Sequence, residues 1–133
     1  MIGAREFFKP KLWWALGFLL VTLICVASLV QMPKMELELP RYADKWQHVF
    51  AYFVAMGWFS QLIACKSKLF KVALTFFAMG VALEFLQGLT GYRSLDRFDV
   101  LANSTGILLG LGLAFTPMAL VLQGVDRRLF GGL

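Results

Sequence analysis

From Leu12 to Gln31 the chain reads LWWALGFLLVTLICVASLVQ, without one charged residue. As a helix, a run of this length spans roughly 30 Å, the hydrocarbon thickness of a bilayer. Three further apolar stretches follow, at about 44–64, 70–89 and 98–122. Together the four use up most of the apolar residues in a chain of 133 that is 59% hydrophobic and only 16% charged. A soluble domain carries about a quarter charged residues. The pattern predicts an all-α membrane protein, a bundle of four transmembrane helices in a single domain over residues 1–133. It excludes a soluble globular enzyme, a disordered tail and a disulfide scaffold. Cys25 and Cys65 sit inside apolar runs and read as small hydrophobic side chains rather than as a redox or metal pair.

The segments between the apolar runs carry turn and anchor signals. Pro33 closes the first span, MELELP alternates as an extended stretch up to Pro40, and Trp46 sits at the start of the second span as an interfacial anchor. Trp13, Trp14, Tyr42 and Tyr92 read as further anchors. Lys66, Lys68 and Lys71 form a basic turn, GLTGYRSLDRFD is a polar loop, and Pro117 should kink the fourth span. Arg5, Lys9 and Lys11 precede a first span longer than the core of a signal peptide, so it reads as a retained helix. With four spans both termini share a side. Their flanks and the second loop hold eight of the thirteen basic residues, which predicts both termini on the cytoplasmic side. The net charge of +5 arises largely from those flanks and is no nucleic-acid signal.

The polar residues inside or beside the spans gather in one layer, at the outer helix ends. Asp44 and His48 are four apart and share a helical face, as do Asp99 and Asn103, while Glu84 and Gln87 are three apart. The third loop adds Arg93, Ser94, Asp96 and Arg97, and Lys45 lies beside Asp44. Asp96 also fits the N-cap position of the fourth span, with Asp99 at N3. Small residues recur every four positions at Ala102, Gly106, Gly110 and Ala114, and Gly80, Glu84 and Gly88 form a similar line. Such stripes serve close helix packing or homo-oligomer contacts. An ionisable residue within a span usually faces the bundle interior with a partner, which singles out Glu84. The candidate ligand-binding set is therefore Asp44, Lys45, His48, Glu84, Gln87, Arg93, Ser94, Asp96, Asp99 and Asn103. His48 and Glu84 are the candidate acid–base residues. No strong metal motif such as H-E-x-x-H occurs, and neither a metal nor another cofactor is expected.

At these residues the chain resembles the VanZ-like family of small bacterial membrane proteins. The matching pieces are D-K-x-x-H from Asp44 to His48 with A-Y-F after it, E-x-x-Q from Glu84 to Gln87, and R-S-L-D-R-F-D-V-L-A-N-S-T-G from Arg93 to Gly106. In order and spacing they cover roughly Asp44 to Leu113. The resemblance implies a helical integral membrane protein of the cell envelope, and the family's namesake is associated with resistance to the glycopeptide antibiotic teicoplanin. Some relatives carry a phosphotransbutyrylase label, but this chain has no nucleotide or CoA phosphate loop. The expected function is binding of a lipid head group or a lipid-linked envelope component in an outer-face polar pocket. Membrane lipids are then the expected partners. The alternatives are an intramembrane enzyme using His48 or Glu84, and a structural or regulatory membrane subunit.

Overall fold

A computed structural model describes residues 5–29, 43–89 and 97–132. Every element among them is helical: α1 (Pro10–Leu29), α2 (Ala43–Leu62), α3 (Lys66–Leu89), α4 (Arg97–Gly112), two short 3₁₀ turns (Leu113–Phe115 and Pro117–Leu120) and α5 (Val121–Phe130). The side chain of Asp44, the stretch containing MELELP, and Tyr42, Tyr92, Arg93, Ser94 and Asp96 lie outside the described residues.

Three helical stretches are long and apolar enough to cross a membrane: Pro10–Leu29, Lys66–Leu89 and Arg97–Phe115. The expected second span is a helix of the same length as α1 but less apolar. Its position accounts for this. α2 is the central helix, packed most extensively against α4 and touching α1 and α3 as well. A helix surrounded by protein can carry Ser60, Gln61 and Tyr52, because its polar atoms find protein partners instead of lipid. Ser60 Oγ donates to the Gly110 carbonyl at 2.9 Å, and Gln61 Oε1 accepts from the Leu122 amide at 2.8 Å.

Two boundaries differ from the sequence reading. The third helix begins at Lys66, so the expected basic turn is its first turns rather than a loop. No helix breaker stands there, and Lys66 Nζ is used locally. It donates to the Ala114 carbonyl at 2.9 Å and lies 5.1 Å from the Phe115 ring centroid. The fourth span ends earlier than expected, at Phe115. Thr116 is extended (φ −124°, ψ 162°), the conformation that a following proline imposes on its neighbour. Pro117 therefore breaks the helix where a kink was expected, and the residues beyond it start a separate helix, α5.

The small stripe of α4 forms the seam with α2. Ala102, Gly106, Gly110 and Ala114 are all buried. A Cβ on Gly106 would lie 2.3 Å from the Val49 carbonyl oxygen, and one on Gly110 would lie 2.8 Å from the Gly57 amide nitrogen. Only glycine allows the two backbones this approach. The stripe thus packs within the chain and is not open to a second copy. Trp13, expected as an interface anchor, is instead buried. Its indole packs on Trp58 and Phe130, and Trp58 Nε1 donates to the Trp13 carbonyl at 2.9 Å. Trp46 does point away from the bundle.

Candidate functional site at the buried polar end

α2 and α4 run parallel, since their first turns meet, and α1 and α3 run the other way. One end of the bundle therefore gathers the N-termini of α2 and α4 with the C-termini of α1 and α3. There Asp99, in the first turn of α4, is 3% exposed. Its Oδ1 accepts from Lys45 Nζ at 2.5 Å and lies 3.8 Å from His48 Nε2. The helix N-terminus adds favourable field to that carboxylate. His48 Nδ1 lies 3.1 Å from Asn103 Oδ1, one turn further along α4. Hence Lys45, His48, Asp99 and Asn103 form one network between α2 and α4.

The chemistry of that network is specific. A neutral imidazole has one donor and one acceptor nitrogen. If Nε2–H faces the Asp99 carboxylate, Nδ1 must accept, and the Asn103 amide has to present its NH₂ group. A protonated His48 donates from both nitrogens and suits the Asn103 carbonyl oxygen instead. Asn103 can partner either form by turning its amide.

α3 closes this region from the other side. A Cβ on Gly80 would stand 3.0 Å from Asn103 Nδ2 and 3.2 Å from the Tyr52 hydroxyl oxygen. Glu84, one turn beyond Gly80, is 2% exposed and within electrostatic reach of Tyr52. Gln87 is buried and donates through Nε2 to the Ser28 carbonyl at 2.6 Å. It satisfies one of the last carbonyls of α1, which lack intrahelical partners.

A cleft of about 280 Å³ opens between α1 and α2 onto this network. Leu23, Ile24, Ala27 and Ala51 make an apolar wall, and Ser28, Gln47, His48 and Tyr52 make a polar one. Of the ten residues expected to bind a ligand, the structure brings together Lys45, His48, Asp99 and Asn103 in direct contact. Glu84 and Gln87 lie at the same end. The side chains of Asp44, Arg93, Ser94 and Asp96 are outside the described residues, so their part in the site is not described. Asp99 is the described carboxylate beside His48. Among the described residues, no group of three His, Cys, Asp or Glu side chains is arranged to hold a metal ion. Tyr52, Gln47 and Ser28 were not among the expected site residues. The spacing held a signal for Tyr52, which is four residues after His48 and so on its helical face.

The fold and this site define a small all-helical membrane protein with a buried charged network at one bundle end. The sequence profile of the VanZ/LLP1 family matches residues 14–121, and the chain belongs to that family. The match reaches back to Trp14 in α1, well before the motifs at Asp44, Glu84 and Arg93. No curated protein and no solved structure matches the chain.

Proposed function

We propose that the protein crosses the cytoplasmic membrane four times, with α2 as the central crossing, and that it binds an anionic amphiphile of the envelope at its outer face. The observation that carries this reading is the cleft between α1 and α2, where an apolar wall meets the polar wall of His48, Gln47, Ser28 and Tyr52. An acyl or prenyl chain fits the first and a head group the second. Lys45 stands behind His48, and the exposed Arg97 lies at the same end. The orientation is supported by the basic residues at the opposite end, Arg5, Lys9, Lys11, Lys66, Lys68, Lys71, Arg127 and Arg128. In this reading the ligand is a lipid head group or a lipid-linked envelope component. A link to glycopeptide-type antibiotic resistance rests on the family alone.

The test compares wild type with His48→Ala and Glu84→Gln, each purified in native lipids, by mass spectrometry of the co-purified lipids. A lipid retained by wild type and lost from both variants, at unchanged melting temperature, is the expected result. Identical lipid content in all three proteins sinks the reading. A catalytic reading has one observation in its favour, an imidazole held between a carboxylate and an amide as a general base requires. It predicts turnover of the retained lipid by wild type, with His48→Ala binding the lipid but leaving it intact.

A further inference from the structure

A second amphiphile-shaped groove lies at the other end of the bundle, away from His48. It has a volume of about 980 Å³ and is lined by Arg5, Glu6, Phe7, Pro10, Lys11, Trp14 and Phe18. Pro10, Lys11, Trp14 and Phe18 recur at helical spacing along one side of α1, and Arg5, Glu6 and Phe7 come just before the helix. The cations are therefore at the helix start, and the aromatic rings extend along the helix into the apolar layer.

Three features point to an anionic lipid. First, Arg5 Nε is buried and has no hydrogen-bond partner among the described residues. A buried, unsatisfied guanidinium N–H is costly and calls for an acceptor. Its backbone is fixed, because the Arg5 amide donates to the Leu62 carbonyl at 2.9 Å, so the side chain is presented from a held position. Second, Lys11 stands on the rim of the same groove and is exposed. An arginine and a lysine around one opening match a phosphate diester, with the guanidinium fork supplying geometry and the ammonium charge. The Glu6 carboxylate also lines the groove and sets the net charge of its three ionisable groups at +1. Third, the wall continues from these cations to Trp14 and Phe18. Trp14 packs on Phe18 and Phe59, and the Phe18 ring remains 60% exposed beside them. A free phosphate has no use for that wall, whereas a phospholipid does.

We propose that this groove binds one anionic phospholipid, its phosphate held by Arg5 and Lys11 and an acyl chain lying along Trp14 and Phe18. Basic pockets beside membrane helices are a recognised setting for anionic head groups. The site is independent of the amphiphile cleft at His48.

The test uses the full chain in nanodiscs of phosphatidylcholine with a minor fraction of phosphatidylglycerol. Native mass spectrometry then counts the phosphatidylglycerol that stays bound. Wild type should retain one molecule, and Arg5→Gln with Lys11→Gln should lower the retained fraction about tenfold. Lys68→Gln with Lys71→Gln, an equal charge loss at the same bundle end but outside the groove, should leave it unchanged. Phe18→Ala should weaken retention less than the double variant. Equal retention in wild type and the double variant overturns the proposal. So does an equal loss in the Lys68→Gln, Lys71→Gln variant, which would mean diffuse attraction. Displacement of the lipid by millimolar inorganic phosphate would overturn the commitment to a lipid. If the double variant fails to fold, Lys11→Gln alone, at an exposed position, must still lower retention for the proposal to stand.

Discussion

Asp99 and Asp126 are almost equally buried, one at each end of the bundle, and their surroundings differ in kind. Asp99 meets groups that can change charge or position: the Lys45 ammonium, itself 22% exposed, and the His48 ring. A cleft opens beside them. Asp126 meets fixed, uncharged donors. The Phe8 amide reaches its Oδ2 at 2.7 Å, while the Lys9 amide and the Trp13 indole reach its Oδ1 at 3.2 and 2.8 Å. Burial alone would push the Asp126 carboxyl up. The hydrogen bonds from Trp13, Phe8 and Lys9 outweigh it and hold the group below the usual carboxylate range. This carboxylate ties the last helix to the start of the first, with Gln123 adding a bond to the Glu6 carbonyl at 2.9 Å. Buried charge thus meets ionisable side chains beside a cleft at one end and fixed N–H donors that close the chain at the other.

The helix seam that joins the two ends gives the largest expected effect. Gly106→Leu forces α2 and α4 apart and should cost about 3 kcal/mol, the upper part of the overpacking range. Melting temperature in detergent should drop, and lipid retention at both ends should fall together. Loss at only one end would show that the ends are not joined through this seam.

Asp126→Ala comes next, at about 2 kcal/mol, since it leaves three N–H donors without their acceptor. Proteolysis at the chain start should accelerate, while ligand retention at His48 should persist. Asp99→Asn should cost less, about 1 kcal/mol, because Lys45 is partly exposed and can turn to water. It should nevertheless abolish retention in the His48 cleft. A larger stability loss for Asp99→Asn than for Asp126→Ala would reverse the assignment of the two ends.

The smallest effect is a pH dependence. The Asp126 carboxyl is lowered in the folded protein, so its stabilisation is fully present above the unfolded value of 3.8 and is lost as pH falls through the lower folded value. The melting-temperature gap between wild type and Asp126→Asn should be constant from pH 7 to about 5. It should close on further acidification. A gap that persists unchanged at pH 2 would mean that Asp126 acts through packing and not through its charge.

Much of the site was legible because helical spacing is a local property. Asp99 and Asn103 at i and i+4 had to share a face, and Glu84 on a line with Gly80 had to face inward. Asp126 was not legible. It stands between Val125 and Arg127 near a basic tail, which reads as a solvated surface. The only hint is that Leu122, Asp126 and Phe130 repeat every four residues, an apolar face with one carboxylate in it. Its donors lie 113 to 118 residues away in the sequence, a distance no spacing rule covers. Trp13 was misread for the same reason. Its sequence position beside a basic flank suggested the interface, but α5 folds back to cover it.

The sequence by itself determined that this chain is helical and built for a membrane, because apolar runs of bilayer length leave backbone groups no other way to be satisfied. It also determined which residues share a helix face. Only the tertiary structure decided which faces meet. That His48 lies beside Asp99, that the glycine stripe of α4 closes on α2, and that Pro117 separates an α5 whose aspartate clasps the start of α1 all depend on contacts between distant segments. Those contacts are set by packing shape and by the pairing of buried polar groups, and neither has a period that a sequence can display.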